Sequence, residues 1–174
     1  MMHLKGQLVS LRAIEPIDLE LLYQWENNPA VWHLSNTLAP FSKHVLKEYI
    51  ENAKHDIYVT KQLRLIINTE KYGPIGCIDL FDFDPTNQRA GIGILIADEQ
   101  HRGKGYASEA LEILCNYCFS VLHLHQLYCN INADNVNSIN LFTKLGFTQS
   151  GIKHQWNRTL GGYVDELFFQ LISQ

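Results

Sequence analysis

Gly91-Ile92-Gly93-Ile94-Leu95-Ile96, followed by Gln100-His101-Arg102-Gly103-Lys104-Gly105-Tyr106-Ala107, decides how the rest of this chain is read. The first run is apolar and rich in β-branched residues, which suits a buried strand. In the second, glycines at 103 and 105 let the backbone turn without a Cβ clash, so several N–H groups can converge on one anion. Beyond them Ala107, Ala110, Leu111, Leu114, Cys118 and Val121 recur at helical spacing. A helix therefore starts near Tyr106 with its positive end facing back into the loop. Amides, helix dipole and the cations Arg102 and Lys104 together favour a pyrophosphate. A plain strand-to-helix turn is the alternative for the two glycines, and the flanking Gln100, Arg102 and Lys104 weigh against it.

Two familiar phosphate loops do not fit. A Walker loop needs Gly-Lys-Ser/Thr at its end, and a dinucleotide fingerprint needs a third small residue at fixed spacing near the first strand. At 174 residues the chain suits one domain of ordinary size. With 18% charged and 46% hydrophobic residues it has a soluble globular profile without a membrane-length apolar run. The N-terminal Met1-Met2-His3-Leu4-Lys5 lacks a signal-peptide core, so a cytoplasmic location is expected. A net charge of −4 argues against general nucleic-acid binding and is compatible with a cationic substrate. Cys77, Cys115, Cys118 and Cys129 read as core thiols, and neither they nor His101, His123 and His125 have zinc-ligand spacing. No metal is expected.

The remaining pattern predicts a strand over 8–12 and a helix over 16–26 with Pro16 in its first turn. Residues 30–40 lack a steady period and read as loop or short helical turns bordering an acceptor site. A helix capped by Ser42 follows. Strands over 62–68 and 75–83 are joined by a turn at Lys71-Tyr72-Gly73-Pro74, and the glycine-loop strand comes next. After the central helix come a strand over 126–132, a helix over 135–145 closed by Gly146, and strands over 148–157 and 163–172 around Gly161-Gly162. Helices alternating with strands, with hairpins before and after, predict a mixed α/β sheet of about seven strands with four main helices.

Gln100, Gly103 and Gly105 match in register the Gln/Arg-x-x-Gly-x-Gly/Ala signature of the GNAT N-acetyltransferases, which this segment resembles. Asn135-x-x-Ser138-x-x-Leu141-Phe142-x-x-Leu145-Gly146-Phe147 resembles a second family signature. Gly76-x-Ile78-Asp79-Leu80-x-Asp82-x-Asp84 and Asn27-Asn28-x-x-Val31 are similar to the spermidine and diamine N-acetyltransferases, and bacterial enzymes that acetylate ribosomal-protein N-termini share much of the pattern. The resemblance implies a GNAT fold and acetyl-CoA as co-substrate, with Ile94, Leu95, Ile96, His101, Arg102, Gly103, Lys104, Gly105, Tyr106, Ala107, Asn135 and Phe142 along the cofactor, a plain helix cap being an equal alternative for Asn135. The acceptor it implies is a small-molecule amine such as a polyamine, or else a protein amine, and a homo-oligomer is an analogy with the family. Two positions depart from the polyamine-enzyme pattern. Phe142 stands where a proton-donating tyrosine is usual, and His33-Leu34-Ser35-Asn36-Thr37-Leu38 replaces an acidic allosteric cluster, so that regulation is not expected.

Acetyl transfer to an amine requires a neutral nucleophile, and alkyl amines titrate near lysine's value of about 10.4. A base must take the proton. Asp82 and Asp79 are the candidates, and their odd spacing on a regular strand would put them on opposite faces. A solvated or cross-strand-paired carboxylate is the competing reading for each. Tyr128 is the candidate acid, with a core tyrosine as its alternative. The developing oxyanion wants a fixed donor, and the resemblance implies a backbone N–H near Leu95 or Ile96. The cofactor thiol, with a pKa of about 8.5 like that of cysteine, leaves without a strong acid. Phe142 therefore does not preclude catalysis, although a non-catalytic acyl-CoA sensor remains the rival reading.

Overall fold

The computed structural model describes residues 4–35 and 39–173, with side chains described for all of these but 33–35. Strands β1 (Ser10–Ala13), β2 (Leu63–Thr69), β3 (Gly73–Asp84), β4 (Arg89–Ile96), β5 (Gln126–Asn132), β6 (Thr148–Thr159) and β7 (Gly162–Ile172) form one sheet in the order β1-β2-β3-β4-β5-β7-β6. Every neighbouring pair is antiparallel except β4 and β5. The four expected helices are α1 (Leu19–Glu26), α3 (Lys43–Asn52), α5 (Tyr106–Ser120) and α6 (Val136–Lys144). Two short ones, α2 (Pro29–Ser35) and α4 (Ile57–Thr60), add to them. Residues 36–38 of the stretch read as bordering the acceptor lie outside the described residues.

The helix expected over 16–26 begins as a 3-10 turn, Pro16–Asp18, before α1. Asp18 accounts for the tight start: its carboxylate accepts the Glu15 amide at 2.8 Å and two Arg12 N–H groups at 2.8 Å each. Ser42 caps α3 as expected, accepting the Val45 amide at 3.2 Å.

Alternation along the strands divides the apolar residues between the two faces of the sheet. Leu65, Ile67, Ile78, Leu80, Ala90, Ile92, Leu127, Cys129 and Phe169 share one core with Leu111 and Leu114 of α5 and Phe142 of α6. On the other face Ile66 joins Leu22 of α1 and Leu46 and Ile50 of α3. That second core covers only the β1–β3 end. Over β4, β5 and β7 the same face carries Gly91, Gly93, Tyr128, Asn130, Glu166 and Phe168, a row too polar or too small to recruit a helix. An open trough results.

Candidate active site

Parallel pairing of β4 with β5 runs only from Arg89↔Gln126 to Gly91↔Tyr128, although β4 continues to Ile96 and β5 to Asn132. The two strands splay apart on the side where β4 enters the glycine loop. The Ala97 amide donates to Ile75 of β3 at 3.0 Å, so by the alternation of a strand the N–H groups of Ile96 and Ile94 face the gap. Leu95 is the other residue named for the oxyanion contact, but its carbonyl lies against Gly76 of β3, so its amide also faces away from the gap.

Gly103 and Gly105 hold φ of 71° and 85°, and Gly105 is the N-cap of α5, whose first turn has no side-chain cap. Its leading amides are thus left for a ligand. A Cβ at Gly103 would meet nothing within 4 Å, so backbone conformation alone calls for glycine there. Arg102 turns away from this nest: its Nε and Nη2 both donate to the Ile96 carbonyl at 3.2 Å, tying the loop to the strand end. His101 is buried beneath, its ring 4.8 Å from that of Tyr72 and 6.4 Å from that of Tyr106, and its Nδ1 has no partner among the described residues. Lys104 is exposed on the loop, and Ala107 is half-buried in the first turn of α5.

At the far signature, Asn135 Oδ1 accepts the Ser138 amide at 3.2 Å and caps α6. Phe142 is 4% exposed and stands edge-on to Phe147 at 5.0 Å, which makes it a core side chain.

The three catalytic candidates separate. Tyr128 donates its hydroxyl to Asp82 Oδ2 at 3.2 Å across the glycines of β4. Asp79 belongs elsewhere, since both its oxygens hold Arg64, from Nε at 2.6 Å and Nη2 at 3.0 Å, and Arg64 also binds Glu26. Asp79 is cross-strand-paired, because Arg64 stands directly opposite it in the β2–β3 register. Burial acts most strongly on the Arg64 guanidinium and lowers it, yet the charge and hydrogen bonds of Asp79, with Cys77 and Tyr49 nearby, hold it above its ordinary value. A cavity of about 230 Å³ lies over this cluster, lined by Tyr49, Gln62, Arg64, Asp79 and Phe81, and Phe81 joins it to the trough.

Asp82 reaches Tyr128 because β3 is not regular there. Its φ is 49°, and the register with β4 shifts between Phe81 and Asp84. Phe81 thus faces the trough while Phe83, two residues on, enters the main core. Non-glycine residues in this conformation are uncommon and concentrate at functional sites. Burial first, then the Asp82 carboxylate, pushes the Tyr128 phenol up to about 12. Tyr128 keeps its proton at neutral pH.

The bulge thus lies beside the start of β4, and the splay and glycine nest follow toward its end. A family model for the acetyltransferase (GNAT) domain matches residues 9–148. This chain belongs to the GNAT acetyltransferase family. Among its relatives, the uncharacterized N-acetyltransferase p20 of Bacillus licheniformis is 29% identical over 174 residues, covering 95% of this chain and 93% of p20. The spermidine N(1)-acetyltransferase of Vibrio cholerae is 27% identical over 145 residues, 82% of this chain and 80% of its own. A crystal structure of spermidine N-acetyltransferase from Vibrio cholerae, in complex with CoA and spermine, superposes with a TM-score of 0.86 at 23% identity, covering 96% of both chains. That likeness establishes the GNAT fold.

Pattern reasoning missed the Glu26–Arg64 partnership of Asp79, whose one signal was a charge inside the apolar run Leu63-Arg64-Leu65-Ile66-Ile67. It also missed Phe81 and Phe168, which flank Tyr128 with ring centroids 6.0 Å and 5.5 Å away. Among the described residues no three His, Cys, Asp or Glu side chains converge as metal ligands would, and no helix is long and apolar enough to cross a membrane.

Proposed function

We propose that this GNAT acetyltransferase transfers an acetyl group from acetyl-CoA to a small primary amine, polyamines among them, by direct attack while both substrates are bound. The observation that carries this reading is the Asp82–Tyr128 pair on the open face beside the β4–β5 gap. The positive-φ glycines and uncapped α5 terminus suit the cofactor pyrophosphate, held by amides of residues 103–107 with Lys104 at the rim. The gap gives the pantetheine arm a passage to the trough, where it supplies an activated acetyl group.

Asp82 is the base. One oxygen is held by Tyr128, and the other is left to accept a proton from the incoming ammonium. Tyr128 orients the carboxylate and carries a proton that it can pass to the departing thiolate. The Ile94 amide, nearer than that of Ile96 to the Gly91–Tyr128 pair, faces the gap where negative charge develops on the carbonyl oxygen. The spermidine-acetylating relative and the chain's net charge of −4 support a cationic acceptor.

Thiol release from acetyl-CoA, measured against a panel of polyamines, monoamines and peptides with free N-termini, tests this reading. Turnover with small amines, lost in Asp82→Ala, is expected. Turnover with peptides alone would transfer the assignment to protein acetylation, and cofactor binding without any turnover would leave an acyl-CoA sensor.

A further inference from the structure

Beyond Tyr128 the trough continues along β5 and β7 to a second constellation on the same face. Lys153 Nζ lies 2.7 Å from Glu166 Oε1, 3.2 Å from Asn130 Oδ1 and 5.2 Å from the centroid of the Trp156 ring. Asn157 Nδ2 donates to Glu166 Oε2 at 2.9 Å and to Asn132 Oδ1 at 2.7 Å. A carboxylate, an amide oxygen and an aromatic face are the groups that recognise an ammonium ion. Here the ammonium is the protein's own.

The site depends on an irregularity in β6. Between the pairs Lys153↔Glu166 and Asn157↔Val164, three residues of β6 stand against the single Asp165 of β7. Gln155 has φ of 49°. Asp165 fixes this bulge, accepting the Gln155 amide at 2.7 Å and contacting His154 Nδ1 at 3.0 Å. Without the bulge the odd spacing of Lys153 and Trp156 would put them on opposite faces. With it, Trp156 is 60% exposed yet turned over the Lys153 ammonium, while the Glu166 side chain is only 12% exposed. The Asp82 bulge does the same on the other side of the trough, bringing a carboxylate onto the face that Tyr128 occupies.

Between the two carboxylates runs an aromatic floor of Phe81, Tyr128 and Phe168. Gln170 pairs with Tyr128, and Glu166 lies four residues farther along β7, a distance of roughly 13 Å at about 3.3 Å per residue. We infer that Glu166, Asn130 and Trp156 form a site for the second ammonium group of a long diamine acceptor, and that Lys153 occupies this site until the acceptor displaces it. The acceptor's first nitrogen then lies at Asp82 and its alkyl chain crosses the aromatic floor. This inference rests on the amine-acetylating reading above and assigns the residues that distinguish a diamine from a monoamine.

The experiment compares octamethylenediamine with octylamine in both acetyl-transfer kinetics and calorimetric titration, using the parent protein, Lys153→Ala and Glu166→Gln. Lys153→Ala frees a shielded carboxylate for an external cation, so its KM and Kd for the diamine should fall about tenfold with those for octylamine unchanged. Glu166→Gln should raise the diamine values by a similar factor and leave octylamine alone. Thermal melting adds a readout independent of turnover: the diamine should raise the melting temperature of Lys153→Ala more than that of the parent. Equal shifts for both amines, or no shift in either variant, would overturn the inference whatever the turnover. Glu166-dependent diamine binding with no acetyl transfer to any amine would uphold the site and overturn the catalytic reading instead.

Discussion

The ring of Phe81 lies over Gly91 so closely that a Cβ on Gly91 would come within 2.1 Å of its Cε2. The glycine thereby leaves room for Phe81 to stand nearly perpendicular to the Tyr128 ring, at 86°. Gly91→Ala should expel the ring and lower stability by about 1–3 kcal/mol, the usual range for overpacking. Phe81→Ala in the same chain should recover part of that loss. Gly76→Ala should cost more, because a Cβ there would lie 2.0 Å from the Leu95 carbonyl, and backbone paired in a sheet cannot swing aside. Urea titrations of the variants check this order.

Tyr128→Phe removes the hydroxyl that orients Asp82 but keeps the ring in its aromatic row. We expect kcat to fall by about a hundredfold, at the lower end of general acid–base effects, with little change in the KM for acetyl-CoA. Asp82→Asn should lose at least as much. In the parent enzyme kcat/KM for a simple amine should climb with pH toward the amine's own pKa of about 10, because only the neutral form attacks. Stopped assays across pH 6–10, ~0.5 unit apart, give that profile.

Gly103→Ala meets no steric obstacle, so its whole effect comes from a φ of 71° that alanine tolerates poorly. A left-handed conformation costs a non-glycine residue about 1–2 kcal/mol. If the loop relieves that strain by moving its amides, CoA affinity should fall about 5- to 30-fold. Calorimetric titration of CoA against the parent and this variant measures it.

Glu109, in the first turn of α5, accepts the amides of Gln7, Leu8 and Val9 at 2.9, 2.8 and 2.7 Å. It anchors the segment leading into β1 to the helix whose N-terminus forms the anion site, and Gly6 leaves room for its carboxylate. Glu109→Gln replaces one acceptor oxygen by a donor facing donors. A loss of about 1–3 kcal/mol is expected in a denaturant titration.

Arg12 holds the Asp18 carboxyl below its ordinary value through paired hydrogen bonds, and the Glu15 amide adds to this against the opposing effect of burial. A depressed folded-state pKa stabilises the protein above the unfolded value of about 3.9, and that contribution is lost as pH falls through the lower folded value. Asp18→Asn should therefore be less stable at neutral pH and show a flatter decline in melting temperature below pH ~4.

The sheet, the four principal helices and the glycine loop were legible along the chain, because each depends on local spacing: apolar alternation in the strands, a 3.6-residue period in α5, and glycine where φ must be positive. The sequence also singled out Asp82 and Tyr128, though not as partners. Tertiary structure alone decided that Asp79 is held by Arg64 and Glu26 while Asp82 meets Tyr128, since a bulge at φ 49° overrides the two-residue period from which faces are counted. The same reason hid the Lys153–Glu166–Trp156 constellation, which depends on a second bulge in β6. Bulges arise from the pairing of strands distant in sequence, so a pattern read along one strand does not contain them.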